Sequence, residues 1–100
     1  MEIKNGSINF GSFKGSGPRT SNSTVTFSKN VSQATAIMTG FKAAFSPRND
    51  HNLGSLDIRI RTDPPSGQTV NVTATFGLRD WSGEWDDNYE GQVFFSVIAE

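Results

Sequence analysis

Leu56-Asp57-Ile58-Arg59-Ile60-Arg61 and Val70-Asn71-Val72-Thr73-Ala74-Thr75-Phe76-Gly77-Leu78 are the two stretches whose reading decides the fold. In the first, Leu56, Ile58 and Ile60 fall on one side of an extended chain while Asp57, Arg59 and Arg61 fall on the other. That two-residue period marks a half-buried strand. The second places Val70, Val72, Ala74, Phe76 and Leu78 inward and Asn71, Thr73 and Thr75 outward. Between them, Asp63-Pro64-Pro65-Ser66-Gly67 reads as a turn, because proline presets φ and glycine permits a positive one. Together they predict an antiparallel hairpin with a longer loop.

Outward from this hairpin, Gln92-Val93-Phe94-Phe95-Ser96-Val97-Ile98-Ala99 is apolar on both faces. It suits a central strand covered on both sides, in part by a neighbouring subunit. Thr24-Val25-Thr26-Phe27-Ser28 alternates, and Ala34 to Phe45 is a further apolar strand interrupted at Gly40. Ile3 to Phe10 alternates loosely, as an edge strand does. The expectation is an all-β fold: an antiparallel β-sandwich of about six strands, forming one domain over residues 1–100. Composition agrees. Ser, Thr and Asn are abundant, there are 10 glycines, and leucine occurs only at positions 53, 56 and 78.

Several function classes are disfavoured. Net charge is −1 with no basic stripe, so nucleic acid is not an expected partner. Cysteine is absent, which removes disulfides and thiolate-ligated metals. No stretch is long and apolar enough for a membrane span, and Met1-Glu2-Ile3-Lys4-Asn5-Gly6 has no signal-peptide character. The expectation is a soluble protein, cytoplasmic or released without a standard signal. The single histidine, His51, lies in a polar loop with no nucleophile-elbow pattern, and a domain this small seldom forms a catalytic cleft, so no enzyme activity is expected. Four Asn-x-Ser/Thr triplets, beginning at Asn5, Asn22, Asn30 and Asn71, fit coincidence in so polar a chain.

Residues 80–91, Asp80-Trp81-Ser82-Gly83-Glu84-Trp85-Asp86-Asp87-Asn88-Tyr89-Glu90-Gly91, hold both tryptophans, the only tyrosine and five of the ten acidic residues. A loop displayed by a rigid sandwich is a common place for binding residues. Flat aromatic faces beside carboxylates and amides suit a sugar, which presents a C–H face and a rim of hydroxyls. Trp81 and Trp85 are therefore candidates to stack on a glycan, with Asp80, Asp86 and Asn88 bonding its hydroxyls. The structural alternative has the tryptophans closing the end of the core. The same oxygens could hold calcium, but their order does not follow an EF-hand loop, so no cofactor is expected and calcium is the weaker alternative.

The order of features resembles an H-type lectin domain, the type found in snail agglutinin and at the C-terminus of discoidins. The counterparts are Asn5-Gly6-Ser7-Ile8-Asn9-Phe10-Gly11, a polar loop from Ser12 to Ser23, and Thr24-Val25-Thr26-Phe27. Then come Ala34 to Phe45, the pair Leu56 to Arg61 with Val70 to Leu78, and Val93 to Ala99. The resemblance implies a six-stranded antiparallel sandwich that assembles as a homotrimer and binds sugars related to N-acetylgalactosamine near its subunit interfaces. It further implies sugar contacts from Gly17 or Arg19 in the first loop, from Arg59 in a central strand and from Trp81. This chain departs from the pattern in two places: Ser16-Gly17-Pro18-Arg19 carries no aspartate, and Ser82 rather than histidine follows Trp81. The alternative function is a structural or assembly module that buries the same apolar residues against other chains.

Overall fold

Six antiparallel strands form two three-stranded sheets in a computed structural model that describes residues 1–14, 17–45, 53–81 and 88–100. They are β1 (Glu2–Lys14), β2 (Arg19–Thr26), β3 (Ala34–Phe45), β4 (Leu53–Thr62), β5 (Thr69–Asp80) and β6 (Asn88–Ala99). One sheet has the order β1-β6-β3 and the other β2-β5-β4. The expected hairpin is the β4–β5 pair, in register at Ile58↔Phe76 and Ile60↔Ala74. The doubly apolar C-terminal run is the central strand β6, and β1 is an edge strand.

The two central strands supply most of the core. From β5, Val70, Val72, Ala74, Phe76 and Leu78 are buried, and from β6, Tyr89, Val93, Phe95, Val97 and Ala99. Ile8 and Phe10 of β1 and Phe27 join them. Phe10 and Phe76 meet with ring centroids 5.2 Å apart, and Phe76 and Tyr89 pack edge-to-face at 5.5 Å. Both spacings lie in the range where aromatic pairs add to simple area burial. Gly67, at φ +59°, makes the tight β4–β5 turn, and its carbonyl accepts the Val31 N–H.

Three sequence expectations change. The polar loop expected over Ser12–Ser23 is largely strand, because β1 runs to Lys14 and β2 begins at Arg19. Its inward positions include the small Ser21 and Ser23, opposite Ala74 and Val72, so no apolar alternation betrays it. Phe27 lies beyond the end of β2 yet is buried, its N–H bonded to the Gln68 carbonyl. Leu56 shares the inward face of Ile58 and Ile60 but is 37% exposed, because it sits on an edge strand next to the register shift between Leu53 and Ser55. No helix is long and apolar enough to cross a membrane among the described residues.

Candidate functional site

One end of the sandwich carries Asp80, Trp81, Asn88 and Tyr89. β1 and β3 run out at this end, β5 finishes at Asp80, and β2, β4 and β6 begin there. The connections 14–19, 45–53 and 80–88 therefore all depart from the same place. Leu53 pairs with Asp80, Phe45 with Tyr89, and Lys14 with Asn88.

Tyr89 and Arg19 hold this end together. The Tyr89 ring is fully buried, and its hydroxyl donates to the Gly17 carbonyl at 2.8 Å. Arg19 donates from Nη1 to the Gly11 carbonyl at 2.8 Å and from Nη2 to the Tyr89 carbonyl at 2.7 Å. Its guanidinium also lies over the Tyr89 ring, 4.5 Å from the centroid, and 5.7 Å from that of Phe10. A planar cation that both stacks and bonds backbone oxygens is a brace between the sheets. Arg19 thus has a structural task at the loop end that the sequence did not suggest. The only tyrosine, which the sequence groups with the loop aromatics, belongs to the core.

Trp81 behaves oppositely. It is 72% exposed at the tip of β5, so it does not close the core. Asp80 beside it is half-buried at the last position of the strand, and Asn88 is exposed at the first position of β6. Asp80, Trp81 and Asn88 are therefore carried on the two central strands, whose buried rows fix their placement. Trp85 and Asp86 lie outside the described residues, as does His51.

Arg59 is elsewhere. It pairs with Thr75, five positions before Asp80, roughly 17 Å along the strand at about 3.4 Å per residue. There it faces outward and forms a bidentate ion pair with Asp57, Nε to Oδ1 at 3.1 Å and Nη2 to Oδ2 at 2.8 Å. Hydrogen bonding and charge from Asp57 push the guanidinium pKa above its ordinary value. The alternation that made β4 legible puts Asp57 and Arg59 on one face and so pairs them.

Gly54 is a residue that the sequence reading missed. A Cβ there would collide with the Asp80 carbonyl, and the Trp81 Cα would lie only 2.7 Å away. Glycine lets the β4 backbone pass directly under the Asp80-Trp81 tip, and a glycine inside a strand pattern is a signal of such an approach. A second missed feature is an open cleft of about 780 Å³ on the outer face of the β1-β6-β3 sheet, lined by Asn9, Gly11, Lys42, Ala44, Glu90 and Gln92 among others. Among the described residues, no group of three or more His, Cys, Asp or Glu side chains could hold a metal ion.

Comparison of the chain with protein-family models, with curated proteins and with solved structures finds no match.

Proposed function

We propose that this domain is a carbohydrate-binding, lectin-like module whose contact surface is the loop end of the sandwich. The observation that carries the reading is Trp81, a 72% exposed indole set between half-buried Asp80 and the start of a connecting segment. Leaving so large an aromatic in water forgoes its burial energy, and a rigid platform that displays one beside hydrogen-bonding groups suits stacking on a sugar face. Asn88, at the far side of the same connection, contributes an amide for hydroxyl groups. The resemblance to H-type lectins supports the same assignment, and it favours a homotrimer, in which several weak sites combine without new contacts.

A second reading, an assembly module without sugar binding, is favoured by a different observation. Ile37, Met38 and Phe41 of β3 and Leu53 and Leu56 of β4 are exposed large hydrophobics on adjacent edge strands. Exposed apolar groups on strand edges suit burial against another chain.

Tryptophan fluorescence separates the two. In a Trp85→Phe background Trp81 is the only indole, and its emission should be that of a water-exposed ring and should shift on titration with simple hexoses and N-acetylhexosamines. Blue-shifted emission indifferent to every sugar would refute the lectin reading and support the assembly one. Repeating the titration in EDTA should leave it unchanged, since binding is assigned to side chains rather than to calcium.

A further inference from the structure

The cleft on the outer face of the β1-β6-β3 sheet begins where the loop end stops. Asn88, Glu90 and Gln92 alternate along β6, so all three project from the outer face. The row is about 14 Å long at the usual rise per residue. Glu90 and Gln92 form the cleft floor, with Asn9 and Gly11 on the β1 side and Lys42 and Ala44 on the β3 side.

Glycines line the hollow at Gly11 and Gly91. Gly91 faces inward, and a Cβ there would collide with the Lys42 carbonyl oxygen and lie 2.5 Å from Cζ of Phe76. With no side chain at this position, the β6 backbone lies directly against that ring. Gly11 adds to the opening, because nothing lies within 4 Å of where its Cβ would be. The polar groups around the hollow are available. Among the described residues, Asn9, Lys42 and Glu90 make no side-chain hydrogen bond or ion pair within the chain, while Gln92 donates to the Ser7 hydroxyl at 3.2 Å.

We propose that this cleft is a second sugar subsite, continuous through Asn88 with the loop end, so that the domain recognises an oligosaccharide rather than a single terminal sugar. The inference rests on the carbohydrate reading and specifies its substrate class. An ammonium donor, a carboxylate acceptor and two amides around a shallow floor match the alternating donors and acceptors of a pyranose rim. The volume lies in the range of small-ligand sites. A single charged ligand fits less well, since the cleft presents one unengaged charge of each sign.

The test is calorimetric titration with mono-, di-, tri- and tetrasaccharides of the best-binding sugar on a printed array. The wild-type domain should bind the trisaccharide at least about tenfold more tightly than the monosaccharide. Glu90→Gln and Lys42→Ala should remove most of that gain and leave monosaccharide affinity and melting temperature unchanged. Gly11→Leu, whose Cβ has nothing within 4 Å, should do the same by filling the opening. Affinity that does not rise with chain length, or a gain that survives all three substitutions, would overturn the subsite while leaving the lectin reading in place. Failure to bind any sugar at any length would overturn both.

Discussion

Trp81 and Tyr89 show how far one aromatic differs from another at the scale of a residue. Trp81→Ala should remove sugar binding and leave the melting temperature within about 2 °C, since exposed positions cost little when truncated. Tyr89→Phe should do the reverse. It leaves the ring in place but deletes the hydroxyl bond to Gly17, at a cost of about 1 kcal/mol measured by urea denaturation. Gly91→Ala should destabilise by about 1–3 kcal/mol, because the new methyl meets the Phe76 ring in a filled core. None of these roles is visible in residue type alone. Tyr89 and Trp81 share one aromatic, acidic stretch, and only strand register sends one inward and leaves the other in water.

At the scale of the element, the strands with apolar alternation were legible and the polar one was not. β5 reads correctly from Val70 to Leu78 because every second residue is apolar and its neighbours are Asn, Thr or Gly. β2 went unrecognised as far back as Arg19 because an edge strand needs only small groups inward, and serine carries no hydropathy signal. The candidate site was legible in the same partial way. Trp81 falls where the loop was expected, while Asp80 closes β5 and Asn88 opens β6. Arg59 falls on a different surface because the alternation of β4 pairs it with Asp57. The cleft had no signal, since its lining comes from three strands far apart in the chain.

One contact between elements predicts a pH effect. The Glu2 carboxylate at the start of β1 accepts from the Ser28 N–H at 3.0 Å and from the Ser28 hydroxyl, and these bonds hold its pKa below the ordinary 4.5. A carboxyl with a depressed native pKa contributes stability that is present above about pH 4.5 and fades as pH falls through the lower native value. Thermal melts between pH 6 and pH 3 should therefore show an acid-dependent loss that is slightly smaller in Glu2→Gln than in the wild type. Equal slopes in the two proteins would remove the role assigned to this contact.

At the scale of the whole molecule, the architecture separates tasks. Both central strands are buried on their inner faces, the end with the β2–β3 and β4–β5 connections and both termini is tied by backbone bonds between Gln33 and Glu100, and the opposite end holds the displayed residues. Sedimentation should find a species larger than the monomer, as the exposed Ile37, Phe41 and Leu53 call for a covering surface. A strict monomer at high concentration would rule out the homotrimer and leave the proposed loop-end site open to its own test. Sugar binding at Trp81 is tested most simply on a glycan array probed with the wild-type domain and with Trp81→Ala. The wild type should bind a sugar class selectively and the variant none, both melting alike. A blank array from well-folded wild-type protein would overturn the lectin reading.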